Sequence, residues 1–159
     1  METSRSTSRF IVIAFLVGLL AFGSGAGAAY ATASSQLRTW HNNNFFCYKH
    51  QARSQNTSVP FKAAVGQNYA RLSPLTLCGN DPENRYIGAA AYLKKTNGAA
   101  CATASPSYLY GSSITRNAYY NSTSCGTGVQ LQGTTTSYGY NIANSGYISA
   151  SIAAPFQDF

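Results

Sequence analysis

The chain reads as a mainly β protein: a small antiparallel sandwich or barrel with a less regular N-terminal segment, closed by two disulfides. Three observations predict this. Short segments of strict two-residue alternation recur through the second half, led by Tyr86–Lys94, where Ile87, Ala89, Ala91 and Leu93 share one face. Asn97-Gly98, the strongest short hairpin signal, follows directly. Four cysteines, an even number, all lie beyond an export-type leader.

Residues 1–31 form that leader. Arg5 and Arg9 precede an unbroken apolar run, Phe10–Phe22, and a small-residue stretch ends in Ala29-Tyr30-Ala31. The run is shorter than the roughly 20 residues a spanning helix needs, so a cleaved signal peptide and a secreted, extracellular product are expected. Cleavage is placed after Ala31, with Ala33 as the alternative. No second apolar run follows, so no transmembrane segment is expected in the mature chain. The whole chain carries a net charge of +7, and residues 32–159 keep nine Lys/Arg against Asp81, Glu83 and Asp158. At 128 residues this is one domain's worth of chain, burying roughly two-thirds of its surface. Its core must be light, because Ala, Ser, Thr and Tyr outnumber Leu, Ile and Val.

Residues 32–84 show little periodicity and are read as the less regular segment. Trp40, Phe45, Phe46 and Tyr48 surround the asparagines at 42–44. Pro60 at a first helical position, with Phe61, Val65 and Tyr69 on one face, predicts a short helix that Gly66 weakens. Leu72, Leu75 and Leu77 predict a short strand broken by Pro74, and residues 79–84 form a turn cluster. Residues 85–159 are the β body. Beyond the Asn97-Gly98 hairpin, further strands are expected at Ala99–Ala104, around Tyr108 and Tyr110, at Thr127–Leu131, around Tyr138, Tyr140 and Ile142, and at Tyr147–Ile152.

Cys47, Cys78, Cys101 and Cys125 allow three pairings. Cys47–Cys78 with Cys101–Cys125 is preferred, since each pair brackets its own segment. Spacings of 31, 23 and 24 residues lack the close ligand pairs of a zinc site, so no metal is expected, nor any other cofactor.

Gly88, Cys101, Tyr119-Tyr120-Asn121-Ser122, Cys125, Gly139 and Gly146-Tyr147 together resemble a group of small exported actinobacterial proteins. These have a leader, a β-rich body, a paired cysteine and a YYNS-like segment. The resemblance spans about 60 residues, implies an origin and a fold type, and transfers no site residue.

For function, acid–base groups are scarce. His41, His50, Asp81 and Glu83 are the conspicuous ones, and Arg85 would suit a phosphate in a small basic hydrolase such as a nuclease. Nothing in their spacing joins them, no G-x-S-x-G elbow occurs, and an enzyme is not the expected class. Binding is the leading expectation. Eleven mature tyrosines present flat apolar rings with water-tolerant hydroxyls, and Tyr108, Tyr110, Tyr138, Tyr140 and Tyr147 alternate on strands where they can stack on sugar rings. Dispersed Lys and Arg, Arg116 among them, favour anionic polymers. A carbohydrate or anionic envelope polymer is therefore the expected partner. Nucleic acid is not, because no nucleic-acid-binding signature is present. The alternative class is a secreted effector using the disulfide-locked loop 102–124 as an inhibitory loop. Asn56-Thr57-Ser58 and Asn121-Ser122-Thr123 match the glycosylation pattern N-x-[ST].

Overall fold

The computed structural model describes residues 31–42, 46–57, 62–73, 78–141 and 145–159. Residues 1–30, which make up all but the last residue of the expected leader, most of the asparagine run, Pro60, Phe61, Leu75, Leu77 and Ile142 lie outside them, and with them the expectations placed there.

Among the described residues, nine strands form two antiparallel sheets. The first contains β1 (Ala31–Ser34), β2 (Arg38–Asn42), β3 (Phe46–Asn56), β4 (Lys62–Leu72) and β7 (Ser113–Tyr119). The second runs β6 (Ala100–Gly111), β5 (Arg85–Lys95), β8 (Gln130–Asn141), β9 (Gly146–Asp158). The sheets do not join, so the fold is a sandwich and not a barrel. β3 packs over β8 and β9, β4 over β5 and β8, and β7 over β5 and β6. β1 and β2 lie end to end along β3, pairing with its second and first halves respectively. Among the described residues no helix is long and apolar enough to cross a membrane.

The segment expected to be less regular holds four of these strands, and the described part of the expected helix, residues 62–69, lies in β4. From Tyr48 on, the alternation in β3 is strict: His50, Ala52, Ser54 and Asn56 are buried like Phe46 and Tyr48, while Lys49, Gln51, Arg53 and Gln55 are not; Cys47, next to Phe46, is buried as well. It is invisible as hydrophobicity because four of the six inward residues are polar or small. Gly66, a weak point in the expected helix, is instead a contact point between sheets. A Cβ there would lie 2.6 Å from Thr135 Oγ1.

In β5 the alternation is as expected, whereas the strand expected at Thr127–Leu131 begins only at Gln130, Gly126 and Gly128 taking positive φ before it. Ile87, Ala89, Ala91 and Leu93 are all fully buried. Gly98 takes a φ of +85° in the β5–β6 turn, and Asn97 Oδ1 accepts from Ala99 N at 3.0 Å. β6 runs past the expected Ala104, because a register shift opposite Ala90 absorbs Pro106 as a bulge. Both disulfides form as Cys47–Cys78 and Cys101–Cys125. In the YYNS segment, Asn121 caps the one-turn helix α1 (Ser122–Cys125), its Oδ1 accepting from Thr123 N at 2.8 Å, and this turn presents Cys125 to Cys101. The other glycosylation-pattern residue, Asn56, is turned inward and donates to Asp158 O.

The core has two apolar ends and a polar waist. One end gathers Ala64, Ala91, Leu93, Ala118, Leu131 and Phe159; the other gathers Phe46, Tyr48, Ala70, Ile87, Ala89 and Ile114. Along β4, Gly66 and Asn68 separate Ala64 from Ala70. The sheets touch here through backbone. A Cβ on Gly133 would lie 2.2 Å from Arg53 O, and Gly133 N instead donates to Ser54 Oγ at 2.6 Å. Thr135 Oγ1 donates to Gln51 O at 3.3 Å. Asn68, fully buried, joins four strands. Its Nδ2 donates to Gly88 O and Tyr138 O, both at 2.9 Å, and its Oδ1 accepts from Trp40 Nε1 at 3.2 Å. Asn68→Ala strands three partners, one buried and two partly buried, and a loss of about 3 kcal/mol is expected in urea unfolding.

His50 is buried beside Trp40, with Nδ1 unpartnered, and burial, aided by the Arg38 charge, lowers its pKa to about 4. Its ordinary value is near 6.5, so between about pH 6.5 and 4 the unfolded chain binds the extra proton. Stability should therefore fall as pH drops through this window, by about 3 kcal/mol from this residue. Thermal melts of His50→Gln against wild type should show a shallower acid slope.

Candidate functional site: a tyrosine face ending in an aromatic pocket

The outward face of the second sheet is paved with tyrosine. On β5 the inward positions are odd-numbered, so Tyr86, Gly88 and Tyr92 point outward. Register carries this face across the sheet: Tyr110 lies opposite Tyr86, Tyr108 and Tyr138 opposite Gly88, and Tyr147 opposite Tyr140. The rings form one connected series. Centroid separations are 5.0 Å for Tyr110–Tyr86, 6.1 Å for Tyr86–Tyr140, 5.5 Å for Tyr140–Tyr147, 4.8 Å for Tyr147–Tyr108 and 5.4 Å for Tyr108–Tyr138. All are tilted or edge-on, the arrangement that ring quadrupoles favour.

Gly88 sets this geometry. A Cβ there would lie 2.5 Å from Tyr108 Cδ1, so the ring lies across the bare backbone of β5 and reaches Tyr138 and Tyr147. The face remains open to solvent: Tyr110 is 63% exposed, Tyr86 55%, Tyr108 48% and Tyr147 46%. Burial and then neighbouring phenols push the hydroxyls of Tyr138 and Tyr147 above their ordinary pKa, so both stay protonated donors at neutral pH.

At one end the face dips into a cavity of about 160 Å³ lined by Phe46, Tyr48, Arg85, Tyr86, Tyr110 and Tyr140. Phe46 and Tyr48 come from β3 of the other sheet, so the cavity opens at the rim of the sandwich. Tyr48 is wholly buried against Gly139, where a Cβ would meet its ring at 2.3 Å, and its hydroxyl donates to Tyr140 O at 3.2 Å. Burial raises its pKa to about 12. Behind it, Trp40 stacks on Tyr48 at 5.1 Å, and His41 sits 5.9 Å from the same ring. Both reach inward because the β2–β3 register slips between Thr39 and His41. The Arg85 guanidinium lies 4.5 Å above the Phe46 ring and pairs with Glu83 at 3.0 Å.

The structure thus brings Tyr108, Tyr110, Tyr138, Tyr140 and Tyr147 together. Arg116 is elsewhere: it lies in β7 of the first sheet, opposite Gly66, with Nε closed off and unpartnered. Of the acid–base candidates, His50 is in the interior, Glu83 is held by Arg85, and Asp81 is exposed. Burial lowers the pKa of His41 in its aromatic nest. Among the described residues no three His, Cys, Asp or Glu side chains form a metal-type cluster. The stretch 102–124 is not a loop but most of β6, all of β7 and most of α1. Sequence reasoning misses Tyr86, Phe46 and Tyr48 as site residues. Tyr86 is signalled by its two-residue spacing from Gly88; the β3 pair carries no such signal. No known protein family, curated protein or solved structure matches the chain.

Gly88→Ala should displace Tyr108 from β5. The near-ultraviolet circular dichroism of the tyrosines should weaken, with a stability loss of only about 1 kcal/mol because the displaced ring is half exposed.

Proposed function

We propose that the protein is a secreted, non-catalytic binding module whose tyrosine face contacts a carbohydrate polymer of the cell envelope or environment. The observation that carries this reading is the continuous set of six tyrosine rings on one rigid sheet, four of them about half exposed. Such a surface is apolar enough to stack on sugar rings, and its hydroxyls match theirs. Exposed apolar patches of this kind mark interaction sites. Strands hold the rings in place before a ligand arrives, which lowers the ordering cost of binding. Two disulfides suit an oxidising compartment and support a place of action outside the cell.

The test is affinity electrophoresis of the oxidised protein through gels containing soluble glucans, mannans, chitin oligomers or solubilised peptidoglycan, across a salt series. Retardation by at least one polymer that persists at high salt is expected, because stacking is not screened. The double variant Tyr108→Ala/Tyr138→Ala should bind roughly tenfold more weakly or worse, while His41→Ala should bind as wild type does. Retention that ignores the tyrosines would overturn the reading.

A further inference from the structure

The geometry points to the rim cavity as a subsite for a carboxylate-bearing sugar residue, a uronic acid, at the end of a chain laid along the tyrosine face. This deepens the carbohydrate-binding reading and rests on it.

Three observations carry it. First, cavity and face are continuous, since Tyr86, Tyr110 and Tyr140 belong to both. A sugar chain stacked on the rings that reaches this end meets a recess with walls of the same kind. Second, Arg85 is the cavity's charged lining residue, and its hydrogen bonding is incomplete. A guanidinium has five donors in a fixed fork. Here Nη2 meets Glu83 Oε1, Nε is shut away from solvent with no partner, and Nη1 makes no hydrogen bond among the described residues. By contrast, Arg71 donates to two backbone carbonyls, and Arg53 donates twice to Gln51. A guanidinium that is 29% exposed, packed on Phe46 and short of acceptors suits an incoming oxyanion. Third, the phenol hydroxyls of Tyr86 and Tyr110 make no hydrogen bond among the described residues, so both are free for sugar hydroxyls or the carboxylate.

The acid is a carboxylate for a stated reason. Glu83 already offsets part of the Arg85 charge, leaving Nη1 and less than a full positive charge for the ligand. A monoanion suits that reduced charge better than a dianionic phosphate. Aromatic walls then suit the apolar face of the pyranose that carries it. Glu83 competes with the ligand for the guanidinium, so the residue also tunes the subsite.

Calorimetric titration with galacturonate oligomers and their carboxyl-reduced, neutral counterparts tests the assignment. Wild type should prefer the acidic oligomer by roughly tenfold at low salt. Arg85→Gln should bind both forms alike. Glu83→Gln, which removes the competitor while keeping Arg85 on Phe46, should widen the preference and guards against a folding defect in the Arg85 variant. Equal affinity of wild type for both oligomers, with binding abolished in Tyr108→Ala/Tyr138→Ala, would overturn the subsite and leave the tyrosine-face reading standing. A preference that survives Arg85→Gln would overturn it equally. Binding of neither oligomer, together with no retardation by any polymer, would overturn both.

Discussion

The fold depends on how closely its two sheets approach. At Gly66 and Gly133 there is no room for even a methyl group, and the contact is made by backbone and by the short side chains of Ser54 and Thr135. Sheets in a sandwich ordinarily stand about 10 Å apart, with interdigitating hydrophobic side chains between them. Here small residues draw the waist together and hydrogen bonds cross it. Asn68 completes the join by satisfying its whole carboxamide between Trp40, Gly88 and Tyr138. A core poor in large aliphatics can be held this way because Ser54, Asn68 and Thr135 each find a backbone partner across the gap. The apolar clusters at either end then provide the ordinary hydrophobic contribution.

This division explains what is legible in the sequence. β5 is readable because its inward residues, Ile87, Ala89, Ala91 and Leu93, are apolar and its outward ones are not uniformly so. β3 obeys the same period of two but turns His50, Ser54 and Asn56 inward and the stems of Arg53 and Lys49 outward. Polarity hardly changes from one face to the other, so a hydrophobicity pattern has nothing to register. Gly66 misleads for a related reason: a glycine required by a neighbouring sheet looks the same in sequence as one that weakens a helix. Of the three disulfide pairings the sequence allows, the preferred one, in which each pair brackets its own segment, is the one that forms.

The candidate site is legible along strands and hidden across them. Alternation shows that Tyr108 and Tyr110, or Tyr138 and Tyr140, share a face. It cannot show that β6, β5, β8 and β9 lie in that order, which is what makes one series of rings from four strands. Arg85 stands in plain sight as a cation after a turn, but its role depends on Phe46, which arrives from the other sheet about forty residues earlier. The cavity is a tertiary feature in the strict sense: two of its walls are core residues of the first sheet seen from the rim.

The far side of the molecule has a different character. The outward positions of β3 and β4 include Lys49, Arg53 and Arg71, with Arg71 lying 4.8 Å over the ring of Tyr69. Three cations thus project from one broad face and phenols pave much of the other, with the thickness of the sandwich between them. Lys94, beside the ring of Tyr92, adds a cation to the tyrosine side, so the electrical polarity across the thin dimension is one of degree. A negatively charged surface attracts the Lys49–Arg53–Arg71 side and exerts little pull on the tyrosines. On such a surface the orientation with the basic side down is favoured, and the rings and the rim cavity then face away from it.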